Sequence, residues 1–186
     1  MAIILVPPSA EPLSLTDAKA MLRVEHADDD VVIASLIAAA RGHVEALTRR
    51  VLMVQTWRLV RDAWPADGRI HLRSGPLRAV MAARGFDASG EAHAIDVQNF
   101  VVDEAADIIA SPAWALPPPG RHRGGIELDL ELGFAAHPAD VPAPLRQALR
   151  MMVAHWYDNR GAVASGATLL PAGAAALIAP YRHLSL

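Results

Sequence analysis

A chain of 186 residues suits one domain, and at that length roughly 70% of the unfolded surface can be buried, so a core forms without staples. It contains no cysteine, which excludes disulfides, thiolate zinc sites, iron–sulfur ligation and a cysteine nucleophile, and leaves only histidine, carboxylate and hydroxyl chemistry. The formal net charge is −3, and the 17 basic residues are scattered instead of gathered in one arm, which argues against a protein that grips nucleic acid by its phosphates.

The opening MAIILVPP is apolar, but it lacks a basic n-region and its prolines come too early for a signal peptide. No other run reads as membrane-spanning, so a soluble, non-secreted protein is expected. A hydrophobic fraction of 53%, against about 45 to 50% in ordinary domains, leaves some apolar surface for partners. SLTDAKAMLRV, residues 14 to 24, offers Ser14 or Thr16 as N-cap, Asp17 in the first turn, and Ala18, Met21 and Leu22 along one face. A short helix is expected there. In residues 28 to 50, Asp28, Asp29 and Asp30 suit the positive end of a helix dipole, and Arg49 and Arg50 suit the negative end. Ile33, Ile37, Ala40, Val44 and Leu47 recur at spacings of three and four, so the segment reads as a long amphipathic helix.

From Val51 to about Phe134 the pattern turns to strands: QTWRLVRDAW, RIHLR and, after an SGP turn, LRAVMAARGF, with DASGEA as a hairpin connection. The clearest is GGIELDLELGF, where Ile126, Leu128, Leu130 and Leu132 alternate with Glu127, Asp129 and Glu131. One face should be buried and the other should carry three acids. The proline- and glycine-rich residues 111 to 125 are expected to form an exposed loop. Pro142 and Pro144 then fit a helix start, and the helix runs through MMVAHWYDNR to Gly161, with Leu145, Leu149, Met152, Val153 and Trp156 as its apolar face. A small-residue linker leads to a last short helix, AAALIAP, and the tail YRHLSL.

The densest chemistry lies at 155 to 160. His155 and Asp158, spaced i, i+3, could share a metal, but one histidine and one carboxylate are too few. A helix-borne di-metal site needs matching Glu-x-x-His pairs, and the long helix offers only His43 near Glu45. Ser35, Ser89, Ser111 and Ser165 lie in no G-x-S-x-G context, and both phosphate-cradling glycine motifs are absent. RHRGG at 121 to 125 could touch phosphate; a solvated loop is the plainer reading. His155, Tyr157, Asp158, Asn159 and Arg160 then read as half-exposed polar groups near the helix end, around a packed Trp156 whose ring N–H needs an acceptor. The alternative is a small intracellular enzyme or ligand-binding protein using His155, Asp158 and His43.

The order LSLTDAKAMLRVEHADDDVVIASLIAAARGHVEALTRRVLMVQTWRL, with VPAPLRQALRMMVAHWYDNRGAV and then LLPAGAAALIAPYR, closely resembles the head-to-tail connector, or adaptor, proteins of long-tailed phages and phage-derived gene transfer agents. It resembles the branch with a β-rich insertion, and the resemblance covers essentially the whole chain. It implies an α+β fold in a single connector domain over 1–186: N-terminal helices at 1–50, a β-rich antiparallel insertion at 51–135, C-terminal helices at 136–180, and a tail at 181–186.

The resemblance also implies a structural part of a virion or phage-like particle, assembled in the host cytoplasm, with no enzymatic activity, cofactor, metal or membrane. Copies would form a ring, usually of twelve, beneath the portal at the capsid vertex, joining it to the stopper or tail-completion protein. DNA would pass through the lumen without sequence-specific binding. The tail Tyr181, Arg182, His183, Leu184, Ser185 and Leu186 would reach the portal. His155, Trp156, Tyr157, Asp158, Asn159 and Arg160 would fix a helix end or a subunit interface. Glu127, Asp129 and Glu131 would face the lumen as a negative band that lets a polyanion slide past.

Overall fold

A computed structural model describes residues 1–112, 116–159 and 170–183. The fold is mixed α+β, and the chain divides into two compact units: Ala10–Met53 with Phe134–Leu186, and Met1–Ser9 with Val54–Gly133.

The first unit is helical. Ser14 is extended, and its Oγ accepts the backbone N–H of Asp17 at 3.0 Å, which starts α1 (Leu15–Leu22). Arg23 turns left-handed and ends it, at φ 57°. The long helix α2 (Asp30–Thr48) starts two residues later than the sequence pattern suggests. Asp29 makes no capping bond, because its carboxylate accepts the Tyr157 hydroxyl instead. Asp30 in the first turn pairs with Lys19 of α1. Glu45 is shared: one oxygen accepts the Leu52 N–H at 2.9 Å and the other meets Arg41, which also reaches Glu11 at 2.7 Å. These bonds tie the chain before α1 and after α2 to the middle of α2. Burial pushes the Glu45 carboxyl up, against the opposing pull of the Leu52 N–H and Arg41.

Helix α3 (Ala143–Asp158) has Pro142 as its N-cap and Pro144 in its first turn. Its buried Leu145, Leu149, Met152 and Val153 meet Ile33, Ile37, Ala40 and Val44 of α2, with Ala174 and Ile178 of α4 (Ala172–Ile178). Each fully buried aliphatic side chain of this kind contributes about 1.5 to 3 kcal/mol of transfer free energy, so this cluster is what keeps the helices together. The 19-residue α2 corrects one expectation, since by length and composition it is apolar enough to cross a membrane. Here Ile33, Ile37, Ala40, Val44 and Thr48 give it a buried face within the unit.

The second unit is all β. Its five-stranded antiparallel sheet runs β1 (Ala2–Val6), β2 (Gln55–Arg61), β8 (Ile126–Leu132), β4 (Leu77–Phe86) and β5 (Ala92–Ile95) in spatial order. A three-stranded sheet has the order β3 (Arg69–His71), β7 (Ile108–Ala110) and β6 (Val101–Asp103). β8 lies at the centre of the larger sheet, and Ile126, Leu128, Leu130 and Leu132 are all buried, as their alternation predicts. The β unit corresponds to the insertion read at 51–135, with one addition. The opening apolar run, read only as too short for a signal peptide, is an edge strand of the large sheet.

The loop read as exposed at 111 to 125 is laid down at several points. Leu116 is buried, the Trp64 indole donates to the Pro117 carbonyl at 2.9 Å, and the Gly124 N–H donates to Asp62 at 2.7 Å. Gly120 donates to the Phe86 carbonyl so close to the backbone of Asp87 and Ala88 that no Cβ would fit. The Arg121 guanidinium covers the Phe86 ring at 4.8 Å.

Candidate functional site

The end of α3 packs on α2. Trp156 meets His43 edge-on, with ring centroids 6.0 Å apart at 78°, and packs against the helical core. One residue on, the Tyr157 hydroxyl donates to Asp29 at the start of α2 at 2.5 Å. The two contacts grip α2 in its C-terminal third and at its N-terminus. Asn159 closes the helix, its side-chain amide and its backbone N–H both donating to the His155 carbonyl at 2.7 and 3.1 Å. Asp158 is exposed, and Arg160 lies outside the described residues. The geometry is that of a clamp for a helix end.

Of the tail, Tyr181 stands edge-on to Phe134 at 6.2 Å and packs on the helical core. The His183 N–H donates to the Thr48 carbonyl at 2.9 Å, which satisfies one of the open carbonyls at the end of α2. Arg182 between them is exposed, and Leu184, Ser185 and Leu186 lie outside the described residues.

Glu127, Asp129 and Glu131 do share the outer face of β8, but a wall of bare carboxylates is not what the sheet presents. Register sets Arg58 of β2 directly opposite Asp129, and Arg84 of β4 opposite Glu127. Arg58 grips Asp129 with two bonds, at 2.7 and 3.1 Å, and reaches Glu127 at 3.3 Å. Arg84 also bonds Asp129, and Arg78 pairs with Glu131 at 3.0 Å. Three acids therefore face three arginines. The Arg58 bond, with help from Arg84 and against partial burial, holds the Asp129 carboxyl below the usual range. The sequence did carry a signal for Arg58: it falls out of phase with Trp57 and Leu59, so on a strand it must share the face of the acids.

Two further features had no sequence signature. A cavity of about 450 Å³ in the β unit has an apolar floor that includes Trp57, Leu59, Leu130 and Leu132, with Arg61, His71 and Arg73 also lining it. At the β4–β5 hairpin, Asp87, Glu91 and His93 are the one group of three among the described residues whose donor atoms lie close enough to share a cation. Asp87 there accepts from Ser89 and from the Glu91 N–H, and it bonds His93 at 2.9 Å. The His93 contact foremost keeps the Asp87 carboxyl well below the usual range, and Asp87 in turn raises the His93 imidazole. This is how a polar turn is closed. His155, Asp158 and His43 do not belong to that group.

Comparison with known proteins points one way. Residues 12–83 match the family model of phage gp6-like head-tail connector proteins. The whole chain superposes on a chain in the neck of an empty gene transfer agent particle computed with C6 symmetry, with TM-score 0.84 and 26% identity, covering 100% of this chain and 97% of the other. A chain in the virion of the native gene transfer agent particle gives the same values, and one in the native neck computed with C12 symmetry gives TM-score 0.81 at 26% identity and the same coverage. No curated protein sequence matches. The helical entry segment, the β insertion and the helical exit thus recur together, in order, in a chain of a gene transfer agent neck, and over residues 12–83 the chain is similar to the phage gp6-like head-tail connector proteins.

Proposed function

We propose that copies of this chain form a ring at the head-to-tail junction of a virion or gene-transfer particle, as a structural part without enzymatic activity. The observation that carries this is the full-length likeness to a neck chain at 26% identity. Necks described under C6 and C12 symmetry support a ring of identical subunits, and twelve is the number adopted here. In this reading the ring sits beneath the portal and above a stopper or tail-completion protein. A ring of linked subunits turns weak single contacts into firm attachment through avidity.

Tyr181 and His183 anchor the last residues to the helical unit, while Arg182, Leu184, Ser185 and Leu186 meet the portal. The sheet face with Glu127, Asp129 and Glu131 lines the lumen. Its arginine partners balance the acids, so DNA is neither gripped nor strongly repelled. Replacing all three acids with lysine should slow DNA transfer, and unchanged transfer would remove the lumen from the proposal.

The direct test mixes the purified chain with the portal ring from its own source, separates by size with light scattering, and images the product by electron microscopy. A ring stacked on the portal, weakened by deleting residues 184 to 186, is the expected result. A chain that stays apart from intact portal at low and high salt would overturn it.

A further inference from the structure

We infer that β1 is an assembly edge, which pairs with the free edge of β6 in a second copy of this chain and so joins copies head to tail. The inference rests on the ring proposed above and specifies how its neighbours meet. Among the described residues β1 has a single strand neighbour, β2, which leaves its outer edge without a strand partner there. All five residues are exposed and none is charged; Ile3 is 43% and Ile4 51% exposed. Edge strands of monomers are blunted by charges, proline or bulges, because a bare apolar edge recruits another strand. The only irregularity in β1 comes at its far end, between Ile4 and Val6, which leaves Ala2 to Ile4 in regular register.

What the edge recruits is set by what adjoins it. Ala2 and Ile4 are in register with Leu59 and Trp57, on the face that floors the cavity, and Met1 and Ala2 line that cavity. Arg61, His71 and Arg73 stand around it, exposed and without an ion-pair partner among the described residues. The buried indole N–H of Trp57 has no acceptor. The incoming strand must therefore be apolar, flanked by carboxylates, and rich in acceptors. β6 fits: it is an edge of the three-stranded sheet, Val101 is 66% exposed, Asp103 ends the strand, and Asp96 and Glu104 flank it, all three acids exposed. Its three residues equal the regular stretch of β1 in length. Pairing β1 with β1 would instead bring two cationic rims together. Two different, complementary surfaces on one chain give a heterologous contact, the kind that closes into rings.

The absence of cysteine makes the test clean. Ile4→Cys and Val101→Cys proteins are mixed, with portal present, and treated with a short bis-maleimide. A covalent dimer should form from the mixture and from neither variant alone, and the double variant should give a ladder ending at the ring. Lysines at Asp103 and Glu104 should weaken assembly by about tenfold, and glutamates at Arg61 and Arg73 in the same chain should restore it. A dimer from Ile4→Cys alone would overturn β6 as the partner. Intact rings by light scattering with no crosslink would overturn this interface and leave the ring standing. Wild-type protein that never assembles would sink the ring, and this interface with it.

Discussion

The helical and β units treat their apolar residues in opposite ways. The helical unit gathers most of them into one cluster from α1 to α4, leaving Val31 and Val32 of α2 exposed, and pins the end of α3 with Trp156 and Tyr157. The β unit buries the inner residues of β8 but leaves Met1, Ile3, Ile4, Leu5 and Val6 exposed on an edge beside a cavity. A monomer gains nothing from such an edge. The contrast teaches a division of labour: one unit stabilises the subunit, and the other keeps apolar surface in reserve.

That contrast can be broken most sharply in the helical core. Leu149→Ala removes a side chain that is 1% exposed and should cost about 2 to 5 kcal/mol in urea unfolding, whereas Ile3→Ala should stay within about 0.5 kcal/mol. Equal losses would abolish the distinction. Trp156→Ala, at a half-buried position, should cost about 2 to 3 kcal/mol; unchanged thermal stability with normal portal binding would refute the clamp.

Asp129→Asn comes next, at about 1 to 3 kcal/mol, because it leaves Arg58 and Arg84 facing a neutral amide. The same residue predicts a pH dependence. Its folded carboxyl titrates below the unfolded one, so its contribution is complete above the ordinary aspartate value near ~3.9 and is lost as pH falls through the depressed folded value. Acid unfolding of the wild type should be steeper there than that of Asp129→Asn, and superimposable curves would contradict it. Smallest is Tyr157→Phe, which deletes one hydrogen bond to Asp29 and should cost about 1 kcal/mol in the same unfolding experiment.

Local patterns were legible and distant pairings were not. LRAVMAARGF is β4 to the residue, and the spacing of Leu145, Leu149, Met152 and Val153 gave the buried face of α3, because both follow from the period of a single element. The bond from Tyr157 to Asp29 joins residues 128 apart, and the Arg58–Asp129 pair joins residues 71 apart. No local period encodes such partners. β1 escaped for the same reason: its run of apolar residues has no alternation, and its partner strand lies beyond two helices. The assembly role rests on resemblance, since a helix clamp and a charge-balanced sheet carry no motif of their own.

That separation between β1 and β2 sets an order of events during synthesis. β1 leaves the ribosome before its partner strand, since α1 and α2 must be made before any of β2 appears, and β8 at the sheet's centre follows some seventy residues after that. For all that time the nascent chain carries a bare apolar strand with nothing to pair with. Such an unpaired apolar strand is aggregation-prone until β2 arrives to cover one of its edges.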